Sequence, residues 1–367
     1  MTRVVVAPDS FKGTVTAVDA AAALAEGWAS ADPSAVFVHR PMADGGEGTV
    51  AAFAAAVPGA ERMPIVVEGP AGDPVDTAWL LLPPTADAPA GTAVVDLAST
   101  SGIELLTELR PWDADTTGLG QALAAALDHG VSQIVVGIGS SSSTDGGTGM
   151  LRSLGARFLD ADGDPVARGA RGLADIASVD LSALREAPSV RVLTDVTNPL
   201  VGPRGAAAVF GPQKGLDAPG DIAAVDAALH RLAALLGLDP ELPGAGAAGG
   251  TGAALVAWGA ELAPGAAEVA DLIGLDAAIA GADVVITGEG SYDGQSGDGK
   301  VPSFIAARAA AHGTRAMLVA GRITADADTT PFAASASLTE IAGSPESALA
   351  EPVRWLREAG AALAASR

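Results

Sequence analysis

A run of small polar residues at 139–147, GSSSSTDGG, is the stretch of this 367-residue sequence best suited to chemistry. It follows the apolar segment 134–138, which predicts a buried parallel strand, and it precedes a predicted helix over 150–155. Backbone N–H groups at such a strand-to-helix turn form a site for anions, and the hydroxyls add donors. Asp145 is suited to hold a divalent cation. The alternative is an ordinary turn filled with polar residues.

The pattern Asp-Gly-Gly-x-Gly occurs twice, at 44–48 and at 145–149. Each copy lies between a predicted strand and a predicted helix. Two copies in the same context indicate two helix starts that face anions or metal ions. The alternative is a pair of ordinary glycine-rich turns.

Lysine is used at three positions, Lys12, Lys214 and Lys300, while every other basic residue is arginine. Each lysine lies in a loop rich in glycine or proline rather than on a helix face. An ammonium group neutralises a phosphate oxygen without the planar geometry that a guanidinium requires. The pattern therefore favours phosphate contacts at these positions, with chance placement as the alternative.

Carboxylates and an amide directly follow several predicted strands. Asp195 and Asn198 come after one such strand, and Asp9 and Glu289 follow strands near the two ends of the chain. Ligands of open α/β sheets bind in the crevice outside the carboxyl ends of the strands. We therefore predict these four residues as parts of a site. The alternative for Asp195 and Asn198 is an Asx turn before Pro199.

Two familiar signatures occur in the wrong sequence context, and two others are missing. Residues 244–249 spell G-x-G-x-x-G but follow a turn rather than a strand, so a dinucleotide site is rejected. Residues 294–300 spell G-x-x-x-x-G-K, but Val301 stands where a P-loop has Ser or Thr. The four histidines share no spacing with one another or with carboxylates, and no G-x-S-x-G elbow is present. Neither a histidine metal site nor a serine hydrolase is supported.

The amino-acid composition excludes several kinds of binding partner and of cysteine chemistry. The net charge of −23 argues against nucleic acids and anionic membranes as partners. The absence of cysteine excludes disulfides, thiol nucleophiles and thiolate metal sites. The N-terminus begins as a strand and a loop rather than as a signal peptide, and the longest uncharged run is broken by glycines. We therefore predict a cytoplasmic protein with no membrane partner.

Strand–loop–helix units occupy both ends of the chain. Near residue 64 this sequence pattern gives way to predicted antiparallel strands. Segments 64–68 and 77–82 are predicted as antiparallel strands joined by a tight turn. A hairpin is predicted over 157–165, a helix over 253–262 and a strand over 283–287. The pattern indicates a domain boundary near residue 64 and a return to α/β units near 283.

Six segments of the chain form a recognisable set. They are APDSFKG at 7–13, ADGGEGT at 43–49, TDVTNPL at 194–200, FGPQKG at 210–215, PGAGAAGG at 243–250 and TGEG at 287–290. Together and in this order they resemble the signature blocks of bacterial glycerate kinases of the first type. The blocks run from residue 7 to about 302, so the resemblance covers essentially the whole chain.

The resemblance implies phosphorylation of D-glycerate by ATP with Mg²⁺, usually at the 2-hydroxyl. It also implies an α/β fold of two domains. A discontinuous, Rossmann- or flavodoxin-like parallel-sheet domain is expected from 1–64 and 283–367. A mixed α/β domain is expected to be inserted over 65–282, with the active site in the cleft between the two. The expected assembly is a monomer or a homodimer.

Phosphoryl transfer requires a base for the hydroxyl proton and neutralisation of the phosphates. Asp195 is the first choice for the base and Asp9 the second, with Lys12 as a catalytic cation. The groups assigned to ATP are Ser140, Ser141, Ser142, Ser143, Asp145, Gly146, Gly147, Lys214 and Lys300. The groups assigned to glycerate are Asp44, Gly45, Gly46, Glu47 and Asn198. The carboxylates assigned to Mg²⁺ are Asp145, Asp195 and Glu289.

Four positions depart from the family pattern. Ser140 replaces a glycine, Thr144 an asparagine, Gln121 an acidic residue and Ser291 an arginine. The last two bear on substrate preference. A kinase for a related small hydroxy-acid, phosphorylation at the 3-hydroxyl, and a non-catalytic binding protein on the same scaffold are the alternatives.

Overall fold

The computed structural model describes residues 1–294 and 300–366, and the chain forms two compact units. The first unit contains residues 1–44, 51–58 and the segment from Ala266 onwards. The second contains residues 45–50 and 59–265. The predicted fold class, a discontinuous parallel-sheet domain with an inserted mixed α/β domain, is confirmed.

The strands have the following bounds in chain order. They are β1 (Arg3–Val6), β2 (Val36–His39), β3 (Glu61–Glu68), β4 (Pro74–Leu82), β5 (Thr92–Asp96), β6 (Gln133–Gly137), β7 (Arg157–Leu159), β8 (Ser178–Asp180), β9 (Ser189–Leu193), β10 (Glu261–Ala263), β11 (Val284–Tyr292), β12 (Arg315–Ile323) and β13 (Ala334–Ser337).

The α-helices follow the same convention. They are α1 (Ala17–Ala31), α2 (Thr49–Ala56), α3 (Ala98–Ser101), α4 (Thr117–His129), α5 (Thr148–Ser153), α6 (Ala206–Phe210), α7 (Pro219–Leu236), α8 (Thr251–Ala257), α9 (Gly265–Leu272), α10 (Leu275–Ala280), α11 (Val301–His312), α12 (Leu338–Ala342), α13 (Pro345–Ala350) and α14 (Pro352–Ala365). Short 3₁₀ turns include Ile103–Leu105 and Pro212–Lys214.

The first unit is built on a five-stranded parallel sheet with the order β13-β12-β11-β1-β2. Its central strands carry short apolar runs that are fully buried, as a sheet covered by helices requires. Helices α1 and α14, from opposite ends of the chain, pack together in one core through Leu24, Trp28 and Leu356. Strand β1 ends opposite Ile286, whereas β11 continues beyond it to Tyr292.

The second unit is built on a six-stranded mixed sheet with the order β10-β9-β6-β5-β4-β3. Strands β10, β9, β6 and β5 are parallel, while β4 and β3 continue the sheet in antiparallel fashion. The antiparallel strand pair that the change of sequence pattern near residue 64 predicts is thus present. Its parallel part ends in three neighbouring loops, after β5, β6 and β9, which build the candidate site.

The compact units differ from the predicted domain boundaries at both junctions. The chain enters the second unit at 59, because β3 begins at Glu61 and pairs along its length with β4. It leaves at 265 rather than 282, because the following helices join the first unit. There, Arg308 Nη1 lies 2.7 Å from Asp276 Oδ2.

Two predicted elements are corrected. The strand predicted over 283–287 continues to Tyr292, since Ser291 and Tyr292 still pair with β12. The helix predicted to end at Leu262 ends at Ala257, because Gly259 has a φ of 104° that breaks it.

The hairpin predicted over 157–165 is present. Leu159 forms an antiparallel bridge to Pro165, and the Asp160 N–H donates to the Asp164 carbonyl at 2.9 Å. Strand β7 also pairs with β8.

Across the described parts of the chain, no helix combines the length and apolar character that a membrane span requires.

Candidate active site

Two of the predicted loops are brought together in the second unit. The Gly139 N–H donates to the Gly45 carbonyl at 2.9 Å, so segment 45–50 crosses the carboxyl end of β6. A side chain on Gly137 would place its Cβ 2.6 Å from the Gly45 carbonyl oxygen. This close approach of two backbones requires glycine at position 137.

Asp96, which sequence reasoning missed, fixes the same segment from the neighbouring strand. It is the last residue of β5 and is buried. Its Oδ2 accepts the Val50 N–H at 3.4 Å, and its Oδ1 accepts the Ser99 N–H at 2.8 Å. An aspartate directly after a buried strand was the available signal.

The serine run is not a row of open hydroxyls. Ser142, Ser143 and Thr144 are buried. The Ser142 hydroxyl donates to the Ser101 carbonyl at 2.7 Å, and the Ser143 hydroxyl donates to Asp145 at 3.1 Å. These two hydroxyls, predicted to bind phosphate, are used to hold the loop in shape.

Asp145 is the centre of that loop. Its side chain is fully buried and accepts hydrogen bonds of 2.8–3.1 Å from the Thr116 N–H and hydroxyl, the Ser143 hydroxyl, and the N–H groups of Gly147 and Gly149. Burial, with a smaller effect of nearby Asp115, raises its pKa, while the hydrogen bonds oppose the rise.

The contacts of Asp145 do not favour its predicted role as a ligand of Mg²⁺ or phosphate, which stays a prediction. Both of its oxygens accept hydrogen bonds from protein donors, and the side chain is buried. Among the described residues no group of three or more His, Asp or Glu side chains could hold a metal ion. In this arrangement Asp145 organises the loop.

Gly146 and Gly147 are likewise engaged within the protein. The Gly146 N–H donates to the Gly249 carbonyl at 3.0 Å, and the Gly147 N–H donates to Asp145 at 3.1 Å. The glycine-rich segment 243–250, rejected as a dinucleotide site, is thus hydrogen-bonded to the serine loop through Gly249.

Lys214 lies beneath the same loop and is only 1% exposed. Its Nζ donates to the Ser141 hydroxyl at 2.7 Å and to the Ser143 carbonyl at 2.6 Å. Burial lowers its pKa to about 7, while the charge of Asp145 acts in the opposite direction. Lys214 is thus an internal support of the loop, and its predicted contact with phosphate stays a prediction.

Ser140, at the start of the run, is partly exposed and has a φ of 57°. Its carbonyl accepts the Ile103 N–H at 2.9 Å, and Gly102 forms an antiparallel bridge with Ser141. The segment after β5 is thereby bound to the serine loop. Glycine, the residue of the family pattern here, would adopt this left-handed conformation without strain.

Replacement Ser140→Gly should raise the free energy of unfolding by about 0.5–1 kcal/mol, because relief of the left-handed strain exceeds the added entropy of the unfolded chain. Urea denaturation measures this change. Ser140→Ala is the matched control, since it removes the hydroxyl and keeps the strain. A Gly variant no more stable than the Ala variant would contradict the interpretation.

Asp195 and Asn198 lie beyond the end of β9, next to the serine loop. Asp195 is exposed, and its Oδ1 accepts the Gly265 N–H at 2.9 Å. The Asn198 side chain donates to the Arg204 carbonyl at 2.7 Å, and its own carbonyl accepts the Gly246 N–H at 3.0 Å. Asn198 therefore shapes its loop, whereas the Asp195 carboxylate faces solvent.

In the first unit, Asp9 follows the end of β1, and its N–H donates at 2.8 Å to the carbonyl of Gly288, which lies within β11. Lys12 is exposed at the tip of a turn that is closed by a bridge between Phe11 and Val15. Asp44 is also exposed. Unlike Lys214, Lys12 presents its ammonium group to solvent.

Glu289, predicted to follow a strand end, lies within β11 and is partly exposed. Lys300 directly precedes α11, and its Nζ is 3.7 Å from Asp293 Oδ1. Residues 295–299 of the motif ending at Lys300 lie outside the described residues.

A second buried carboxylate, Asp115, was also missed by sequence reasoning. Arg168 forms ion pairs with Asp115 and Glu68, and the first of these is the main cause of its raised pKa. Gln121, a departure from the family pattern, accepts the Glu68 N–H at 2.7 Å and is thus part of this structural network. Ser291, the other departure, accepts a hydrogen bond of 3.2 Å from Arg322.

In the second unit, small-residue loops and the exposed Asp195 carboxylate follow the carboxyl ends of parallel strands. This arrangement defines the class of α/β enzymes that act on small molecules. The model of the glycerate kinase family matches residues 4–366 of the chain. A glycerate kinase of Halalkalibacterium halodurans is 40% identical, with 88% of this chain and 86% of that protein covered.

A glycerate 2-kinase of Escherichia coli K12 is also 40% identical, with the same coverage of 88% and 86%. A crystal structure of a candidate glycerate kinase 2 from Salmonella typhimurium LT2 superimposes with a TM-score of 0.84 at 38% identity, covering 99% of this chain and 97% of that one. The chain belongs to the glycerate kinase family, and it is a kinase.

Proposed function

We propose that the protein transfers the γ-phosphoryl group of ATP to the 2-hydroxyl of D-glycerate, giving 2-phosphoglycerate and ADP. One observation of the site carries the proposal. Leu193 of β9 pairs with Gly137 of β6, so the exposed Asp195 and the start of the serine loop follow neighbouring parallel strands. This neighbourhood supports a base for the hydroxyl proton beside a loop for an anion, the combination that phosphoryl transfer to an alcohol requires.

Each residue then has a defined task. Asp195 accepts the proton of the attacking hydroxyl, with Asp9 as the second choice. Lys214 keeps the serine loop in its binding shape, while Lys12 and Lys300 neutralise phosphate charge. Segment 44–46 orients glycerate.

Mg²⁺ would supply further neutralisation of the phosphates. The donor chemistry fits exposed carboxylates of the chain, since magnesium prefers oxygen ligands. Asp195 in the second unit therefore stays a proposed ligand, and Glu289 in the first unit stays a separate candidate, whereas the saturated oxygens of Asp145 do not fit the role.

The decisive experiment measures ADP release with Mg-ATP and D-glycerate and then identifies the product. The product is given to enolase alone, and in parallel to enolase with phosphoglycerate mutase. We expect a signal with enolase alone, which requires 2-phosphoglycerate. A signal only with mutase would mean attack by the 3-hydroxyl. Release of ADP with another hydroxy-acid, but not with D-glycerate, would refute the substrate.

A further inference from the structure

A cavity of about 250 Å³ opens in the second unit beside the serine loop. Its walls come from segment 97–105 after β5, from Ser140, and from Glu47 and Gly48. The pairing of Gly102 and Ile103 with the serine loop closes one side. The cavity thus lies at the carboxyl edge of a parallel sheet, where ligands of α/β proteins bind.

The walls combine an apolar part with two carboxylates. Ile103 and Leu105 supply apolar surface, and Glu47 and Glu104 are exposed. Within the described chain, neither glutamate has a hydrogen bond or an ion pair. Asp96 differs, because backbone N–H groups already occupy both of its oxygens. Two carboxylates therefore stay available to a ligand.

The charge of the walls decides between the two substrates of the reaction. Among the described residues that line the cavity there is no lysine or arginine. Carboxylates disfavour a nearby anion, which argues against glycerate's carboxylate and against phosphate in this cavity. A neutral group with hydroxyls and an apolar plane fits both parts of the wall, and acidic side chains bind ribose hydroxyls in other α/β proteins.

We propose that this cavity binds the nucleoside of the phosphoryl donor. Glu47 and Glu104 accept hydrogen bonds from the ribose hydroxyls, and Ile103 and Leu105 contact the base. Ser140 belongs both to the cavity wall and to the serine loop, so the phosphate chain leaves the cavity along that loop. The inference rests on the proposed use of ATP, and it assigns Glu47 to the donor rather than to glycerate.

The test measures binding of ADP, 2′-deoxy-ADP and 3′-deoxy-ADP to the full-length protein by calorimetry, without glycerate. The wild-type protein should bind ADP about tenfold more tightly than at least one deoxy analogue, the effect of a hydrogen bond to a charged group. Glu104→Ala or Glu47→Ala should reduce that preference to within twofold. Glu186→Ala, which removes an exposed glutamate elsewhere in the same unit, should keep the wild-type ratio.

Steady-state kinetics add a second readout. Glu104→Ala and Glu47→Ala should raise the KM for ATP about tenfold and leave the KM for D-glycerate within twofold. A raised KM for D-glycerate with unchanged ADP affinity would assign the cavity to the acceptor and overturn the proposal. Unchanged discrimination in both variants, or no binding of ADP to the wild-type protein, would also overturn it.

The binding test is independent of the proposed reaction. A protein that discriminates ribose hydroxyls through these glutamates but fails to phosphorylate D-glycerate would refute the proposed acceptor and leave the nucleoside site intact. Turnover of D-glycerate without such discrimination would support the proposed acceptor and refute the nucleoside site.

Discussion

Asp195→Asn should lower kcat by about 100-fold or more, the usual contribution of a positioned general base. The carboxylate follows β9, is exposed, and lies in the crevice that the serine loop also borders. Asparagine keeps an oxygen that accepts the Gly265 N–H, which is now bonded at 2.9 Å, but it cannot take a proton. The variant therefore separates catalysis from the structural hydrogen bond.

The matched control is Asp239→Asn. Asp239 is also exposed in a loop of the second unit, and its Oδ1 accepts the Glu241 N–H at 2.9 Å. The control should have wild-type kcat, and both variants should unfold at the wild-type urea midpoint. A fall in kcat below tenfold in Asp195→Asn, with only nucleotide affinity affected, would transfer the role of base to Asp9.

Much of the fold could be predicted because its signals are local. Buried apolar runs such as 134–138 and 4–7 are too short for helices, and each is followed directly by glycine or proline. The elements that were wrong have weak local signals. Gly288 and Gly290 suggest a loop, yet cross-strand pairing with β12 keeps them in a strand.

The sequence could predict where the residues of the candidate site lie along the chain, but not which groups they contact. Sequence reasoning found the serine loop, Asp145 and Lys214, since residue type and strand order locate them. It could not show that Asp145 faces inward, because its partner Thr116 is 29 residues away in sequence. Similarly, Arg168 is 53 residues from Asp115. Such pairs are set by tertiary packing, which local patterns do not contain.

Lys214→Met should lower kcat/KM for ATP by about 100-fold or more, comparable with the loss of a preorganised donor. Methionine has a similar length but cannot donate to Ser141 or to the Ser143 carbonyl. The loop that starts the predicted phosphate site would lose its internal support and a nearby positive charge. Stopped-flow or coupled kinetics would measure the loss, and kinetics within threefold of the wild type would remove Lys214 from the site.

The same lysine predicts how stability depends on pH. Burial lowers its pKa to about 7 in the folded protein, whereas the ordinary lysine value is 10.5. Between these two pH values the unfolded chain holds a proton that the folded chain has released, so this residue makes stability rise with pH. Below pH 7 both states are protonated and its contribution to the pH dependence disappears.

Urea denaturation at pH 7 and pH 10 tests this directly. The free energy of unfolding of the wild-type protein should increase between these pH values relative to that of Lys214→Met, which has no group to titrate. Lys12→Met, which removes an exposed lysine and leaves Lys214 in place, should follow the wild type. A wild-type protein and a Lys214→Met variant with the same pH dependence would show that Lys214 stays protonated in the fold. In that case its charge, rather than its two hydrogen bonds alone, would be the permanent support of the loop.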